Sequence, residues 1–459
     1  MANYQIYSCV TVLCLLNLIL ETTDGLSLPK PSSRTCIIGA GYSGLGTARY
    51  LKEYGVDFTV FEASRHIGGT WRFDPHVGTD EDGLPLFTSM YKGLRTNTPR
   101  QTMEYNGFPF PDGTPTYPEG TCFYKYLKTF AKKFDLLNNI QVRSMVTSVK
   151  WAGDHWNITY MKSDTRQSRT EACDFVVVAS GENCFPSWPK FDGMDTFQGK
   201  LMHSHDYKEP EPFKGQRVLL VGAGASGLDL AMHLSNVTSK LVHSHHLNYN
   251  QPYFSKTYVK KPDIKAFTAN GVVFEDDSTE EIDIVIFCTG YTFSHPFLDE
   301  SSGVTATGKF VLPLYQQIVN IKHPTMAFVG VAKRIINRVL DAQGQYVASL
   351  AAGKFKLPSQ DEMLRSWLDH VYTQQKKNFK IVDVNVVGPE MDQYFSNLTV
   401  EAGVVRAPPV LTMMRDFNAR NRLEDLLNYR DYDWNILDDT HYTREYVPRK
   451  EFTCPIDDS

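Results

Sequence analysis

The hexapeptide Gly39-Ala40-Gly41-Tyr42-Ser43-Gly44 returns as Gly222-Ala223-Gly224-Ala225-Ser226-Gly227, and each copy sits between the same kinds of neighbour. The apolar run Thr35-Cys-Ile-Ile38 leads into the first, and an apolar-periodic stretch through Leu45, Ala48 and Leu51 follows it. Asp57-Phe-Thr-Val-Phe-Glu62 then reads as a second strand. A strand, a GxGxxG turn, a helix and a second strand make a dinucleotide-binding βαβ unit. In such a unit Gly39 makes the tight turn, Gly41 admits the pyrophosphate, and Gly44 lets helix and strand pack closely. The helix N-terminus supplies free N–H groups to the phosphates, with Tyr42 and Ser43 in its first turn. Glu62 ends the second strand, near the spacing of about 20 residues at which a carboxylate accepts ribose hydroxyls.

The second copy is flanked by Arg217-Val-Leu-Leu-Val221 and by Lys240-Leu-Val-His-Ser244. No carboxylate ends its second strand; Ser244, His245 and His246 stand there. A carboxylate at that place holds a free 2′-hydroxyl, whereas a 2′-phosphate needs donors without negative charge. The second unit therefore predicts NADP(H), with Ser244 and His245 as candidate donors and Lys256 or Lys260 as sources of charge. A chain with two dinucleotide units passes electrons from a nicotinamide to a flavin, which assigns FAD to the first unit. The expected fold is α/β, with two Rossmann-like domains. The FAD domain spans 34–212 and returns over 320–459, with the NADP domain, 213–319, inserted into it.

Several flavin chemistries are disfavoured. A disulfide reductase needs a redox-active cysteine pair soon after the first unit, and the first cysteine after Cys36 is Cys122, alone. A quinone-linked dehydrogenase would present an amphipathic membrane-facing end, and none is evident. His245 and His246 do not read as a metal pair, because adjacent strand residues point to opposite faces. No metal site is expected. The net charge of −5 disfavours a nucleic-acid partner.

The remaining motifs are similar to those of the flavin-containing monooxygenases. Ile67-Gly-Gly69-Thr70-Trp71-Arg-Phe73 follows Glu62 as in that family's flavin-binding region. Phe197-Gln-Gly199-Lys-Leu-Met-His203-Ser-His-Asp-Tyr207 fits the fingerprint FxGxxxHxxx(Y/F). Val176–Gly181 and Asp283–Tyr291 resemble the segments that close each dinucleotide lobe, and Leu94–Pro99 resembles the loop bringing an asparagine to the flavin. Asp341-Ala-Gln343-Gly-Gln-Tyr346 is a degraded form of the family's ExQARW helix. Related Baeyer–Villiger enzymes carry Trp where Tyr207 stands, which favours heteroatom oxygenation here. The resemblance extends over about residues 34–370.

The resemblance implies that NADPH reduces FAD, O₂ adds at flavin C4a, and the resulting hydroperoxide oxygenates a tertiary amine or thioether. It assigns Asn97 a place beside this chemistry, Gly69, Thr70 and Trp71 a place around the flavin, and Gln343 a contact with NADP⁺. His203 is expected to be structural. Substrate entry is expected beside the aromatic stretch Phe87–Tyr117. A broad S-/N-oxygenase, an uncoupled NADPH oxidase and an inactive flavoprotein share the motifs, and the oligomeric state stays open.

Val10–Leu20 is apolar except for Thr11 and Asn17, too short for a bilayer span and suited to a signal peptide over 1–25. No Lys or Arg precedes it. The sequons at Asn157, Asn236 and Asn397 fit a secreted or ER-luminal chain. No membrane anchor is expected. With this leader the chain resembles the secreted insect branch of the family, some members of which N-oxidise plant pyrrolizidine alkaloids. The cysteines show no paired spacing, so no disulfide framework is inferred and Cys36 and Cys288 are expected as buried thiols.

Overall fold

A strand with no polar face is satisfied only inside a sheet covered on both sides. In the computed structural model, which describes residues 34–449 and 452–457, β1 (Thr35–Ile38) is buried at every position. It turns into α1 (Tyr42–Glu53), and β2 (Phe58–Phe61) returns parallel, Thr35 opposite Phe58. After α2 (Gly120–Lys133), β3 (Ile140–Gln141) joins β2 and β4 (Phe175–Val178) joins β1 on its other side. The signal peptide expected over 1–25 lies outside the described residues.

The chain then builds a second parallel sheet from β5 (Lys200–His203), β6 (Arg217–Val221), β7 (Lys240–Ser244), β8 (Tyr258–Lys261) and β9 (Ile284–Phe287). Their order is β8-β7-β6-β9-β5, with α3 (Ala225–Leu234) between β6 and β7. β5 pairs with β9, Lys200 opposite Ile284, so the fingerprint strand belongs to the second sheet although it precedes the boundary expected at 212.

β10 (Leu314–Tyr315), β11 (Val319–Asn320) and β12 (Met326–Phe328) return to the first sheet, giving β10-β11-β12-β4-β1-β2-β3. The second unit is thus inserted into the first. α4 (Asn337–Ala351) crosses α1 closely because Gly344 has no side chain; a Cβ there would lie 3.0 Å from Thr47 N and Oγ1. This accounts for one departure from the ExQARW pattern. The chain ends in α5 (Gln360–Lys376), α6 (Met391–Ala402), α7 (Pro409–Glu424) and a hairpin of Tyr432–Ile436 with Tyr442–Tyr446. Among the described residues no helix is long and apolar enough to cross a membrane.

One expectation is corrected. Cys36 is not a free thiol: it is bonded to Cys173, and Cys122 to Cys454. The partners lie 137 and 332 residues apart, so no local spacing could announce them. Cys184 and Cys288 are free, Cys288 buried as expected. Most of the aromatic stretch is core, Tyr105 stacking between Tyr42 at 4.1 Å and Phe130 at 3.8 Å and Phe110 on Tyr126 at 4.1 Å, while Phe87 at its start lines the flavin cavity. α2 is amphipathic and buries Phe123, Tyr126 and Phe130 against that stretch.

Candidate active site: a flavin cleft and a second dinucleotide turn

Four of the six turn glycines, the second and third of each turn, divide into two kinds. A Cβ on Gly44 would fall 1.9 Å from Gly39 O, and one on Gly227 would fall 2.0 Å from Gly222 O. Those two glycines are demanded by the protein's own packing. A Cβ on Gly224 would meet nothing within 4 Å, and one on Gly41 would meet only Gly69 backbone atoms, at 3.6 Å or beyond. Nothing in the chain requires them to be glycine, so the space they keep open suits a ligand's pyrophosphate. Both turns deliver the chain into a helix N-terminus, Tyr42–Ser43 in α1 and Ala225–Ser226 in α3, whose free N–H groups complement phosphate.

Behind the first turn lies a cavity of about 560 Å³ lined by Gly39, Gly41, Tyr42, Glu62, Thr70 and Trp71 among others. Glu62 forms part of its wall. Its Oε2 accepts Ala40 N–H at 2.8 Å and its Oε1 accepts Ser64 N–H at 2.9 Å. These bonds aim the carboxylate while each oxygen keeps a lone pair for a ribose hydroxyl. Burial pushes its pKa up despite the two N–H donors. Gly69–Trp71, also on the cavity wall, forms one tight helical turn, anchored where Gly68 N–H donates to Ala40 O at 2.9 Å. Trp71 packs on Phe123 at 4.3 Å while facing the cavity, so it is both core and lining.

Sequence reasoning missed two supports of this cavity. Thr88 Oγ1 lies 2.9 Å from Thr70 O and 2.8 Å from Arg72 O, bracing the turn that carries Trp71. Gly330, just after β12, lines the cavity and takes φ +107°. Its signal was available, since Met326-Ala-Phe-Val-Gly330 repeats the strand-then-glycine pattern.

Gln343 lies behind the site. Its side chain is wholly buried, Oε1 accepting Gly330 N–H at 3.2 Å and Nε2 donating to Tyr394 Oη at 2.8 Å. Both ends of its amide are thus engaged within the chain, beside Gly330 on the wall of the flavin cavity. Asn97 is not among the residues lining the cavity; its carbonyl accepts from Asn418 Nδ2 at 2.9 Å. His203 is fully buried, Nδ1 accepting His205 N–H at 3.1 Å, and burial drives its pKa down to about 4. A neutral imidazole that caps its own turn is a structural part.

At the second unit one of the two expected donors, Ser244, is committed. Ser244 Oγ donates to Pro262 O at 2.7 Å, so its proton is not free for phosphate. His245 is 4 % exposed, neither ring nitrogen has a partner, and burial lowers its pKa to about 4. His246 is exposed and pairs with Asp263 at 3.1 Å. Lys260, on the strand beside β7, makes only a 3.4 Å contact with Leu247 O and leaves its charge accessible, while Lys256 is exposed. The strand β7 itself ends in Ser244 rather than a carboxylate, with Asp263 paired to His246 just beyond it.

Two dinucleotide clefts in one chain, one inserted into the other, define a flavoprotein that takes its electrons from a nicotinamide. The chain belongs to the flavin-binding monooxygenase-like family, whose model matches residues 32–248 and 253–420. It is 56% identical over 450 residues to senecionine N-oxygenase of Tyria jacobaeae, covering 97% of this chain and 98% of that one. It is 31% identical to flavin-containing monooxygenase 3 of Canis lupus familiaris, over 72% of this chain and 76% of that one. Among solved structures, S-allyl-L-cysteine S-oxygenase from Allium sativum matches with a TM-score of 0.81 at 27% identity, covering 88% of this chain and 96% of that one. The chain is thus a flavin-dependent monooxygenase using FAD and NADPH. Gly39, Gly41, Gly44, Glu62 and the Gly69–Trp71 turn would hold FAD; Gly222, Gly224, Gly227 and the first turn of α3 would hold NADP(H).

Proposed function

We propose that this enzyme N-oxidises tertiary-amine plant alkaloids of the pyrrolizidine type, and that it acts as a secreted detoxifying enzyme. The observation that carries the substrate reading is the 56% identity to senecionine N-oxygenase over 97% of the chain. The flavin, once reduced by NADPH, supplies the oxygen-transfer chemistry. The chain would bind both cofactors end-on at two helix N-termini, with Glu62 and Trp71 on the wall of the flavin cavity, whose lining is mostly apolar. From the resemblance of Leu94–Pro99 we assign Asn97 to the reacting end, beyond the residues that line the described cavity; an amide there can donate without titrating.

Secretion is supported by the apolar leader over 1–25 and by two long-range disulfides, which persist in oxidising compartments and are rare in the cytosol. The sequons at Asn236 and Asn397 are exposed and that at Asn157 is half-buried.

The test is turnover of the FAD-loaded protein with NADPH, oxygen and senecionine, set beside simple tertiary amines and thioethers. One N-oxide per NADPH with a strong preference for the alkaloid supports the reading. A flat profile would make it a broad S-/N-oxygenase, and hydrogen peroxide without N-oxide would make it an oxidase. Its location is tested by recovering the protein from medium or lumen and sequencing its N-terminus.

A further inference from the structure

The segment that carries Asn97 is gripped from outside by the C-terminal part of the chain. Three consecutive carbonyls are taken up there. Arg430 Nε donates to Thr96 O at 3.0 Å and its Nη2 to Arg95 O at 3.3 Å, and Asn418 Nδ2 donates to Asn97 O. Tyr117 Oη donates to Asn418 Oδ1 at 2.7 Å, which sets the amide's orientation. The bracing is reciprocal: Arg95 donates to Arg430 O at 2.7 Å and pairs with Asp431 at 3.3 Å. Phe452 covers the Arg95 guanidinium at 4.0 Å, two residues before Cys454 is bonded to Cys122 on α2.

Arg430 also reaches the inserted unit. Its Nη1 pairs with Asp229 on α3, and Tyr91 donates to the other oxygen of Asp229. Both charges are nearly shielded from solvent, 5 % and 11 % of the two side chains being exposed. A buried pair of this kind adds little net stability compared with apolar packing, yet breaking it leaves an uncompensated charge. What it supplies is a defined geometry between the parts it joins. Asp229 stands two residues beyond Gly227, on the helix whose N-terminus would face the NADP phosphates.

We infer that Arg430 is a positioning residue that locks the NADP-binding helix α3 to the Arg95–Asn97 segment, so that Asn97 is placed only when the NADP lobe is seated. The catalytic consequence rests on the reading of Asn97 given above; the mechanical link does not. Arg430 offers a planar fork that spans two carbonyls and a carboxylate at once, which lysine cannot do.

The test uses the FAD-loaded full chain carrying Arg430→Lys, Asp229→Asn or Asn97→Ala, and the Arg430→Lys/Asn97→Ala pair. Amide hydrogen exchange and the ratio of N-oxide to peroxide per NADPH are measured. Arg430→Lys and Asp229→Asn are expected to raise exchange across residues 91–99 by about tenfold, the effect of losing charge-assisted hydrogen bonds. Arg430→Lys is expected to divert turnover to peroxide, with no additional diversion in the Asn97→Ala background. Unchanged exchange at 91–99 in both folded variants overturns the lock. Raised exchange with a fully additive loss overturns the positioning of Asn97. If Asn97→Ala alone leaves coupling intact, the reading of Asn97 fails, and the exchange result still decides the link. Asp229→Asn keeps size and shape, so it serves should the arginine variant fold poorly.

Discussion

Gln343 accepts the backbone N–H of Gly330 at 3.2 Å from a side chain that no solvent reaches. Its amide nitrogen donates to Tyr394 Oη, which in turn donates to Gln316 O at 2.6 Å. A chain of three bonds thereby runs from the wall of the flavin cleft through α4 and α6 to the turn between β10 and β11. Gln343→Leu would leave buried polar groups unpaired, and we expect a loss of about 1–3 kcal/mol. Thermal unfolding should register it, with faster FAD release and NADP⁺ affinity nearly unchanged. A larger effect on NADP⁺ than on FAD would return Gln343 to the nicotinamide side.

The two kinds of turn glycine give opposite outcomes in the second unit. Gly224→Ala has room in the free protein. We expect an unaltered unfolding temperature and NADPH binding weakened by about tenfold or more, because the methyl occupies pyrophosphate space. Gly227→Ala drives a Cβ into Gly222 O and should destabilise the protein even without cofactor. Calorimetry with and without NADP⁺ separates the two, and identical behaviour would refute the division.

The disulfide assignment is read directly by counting thiols. The full chain has eight cysteines, of which four are bonded, Cys184 and Cys288 are free, and Cys9 and Cys14 lie in the proposed leader. Titration of the unfolded, unreduced protein should therefore find Cys184 and Cys288 alone if the leader is removed, and Cys9 and Cys14 as well if it is retained. Unreduced peptide mapping should join Cys36 to Cys173 and Cys122 to Cys454. Removing either bridge is expected to cost about 2–4 kcal/mol.

Buried histidines set the acid limit of stability. Burial holds His203 down to about 4 and His243 down to about 3. Once unfolded, each takes up a proton below roughly pH 6.5. Their contribution is therefore complete above that pH and is lost as pH falls toward their folded values, by up to about 1.4 kcal/mol per pH unit for each. Unfolding temperature should decline between roughly pH 6.5 and 5, and His203→Gln should flatten the decline. A curve flat over that window would show that these side chains are hydrated in the folded state.

The parts legible in the sequence were those whose chemistry is local. Gly39, Gly41, Gly44 and Glu62 could be placed because strand, turn and helix follow one another without interruption, and all four line or shape one cavity. That most of the aromatic stretch is core was not legible, because period and composition do not reveal which face another helix covers; α2 buries it. Ser244 was expected as a phosphate donor because Pro262, which takes its proton, belongs to a later segment. Gln343 was expected at NADP⁺ from its motif, and its bonds to Gly330 and Tyr394 come from the α4–α6 packing, which the motif does not show.

The sequence by itself determined the two dinucleotide units, their order, the end of β7 in Ser244 rather than a carboxylate and the family to which the chain belongs. Each of these depends on residues within one strand–turn–helix unit, where spacing along the chain equals position in space. Only the tertiary structure decided the pairing of Cys36 with Cys173 and Cys122 with Cys454, and the grip of Arg430 on Arg95, Thr96 and Asp229. Those contacts join segments far apart in the chain, brought together by sheet insertion and helix packing. No short-range pattern encodes which distant partner a buried charge or thiol will meet.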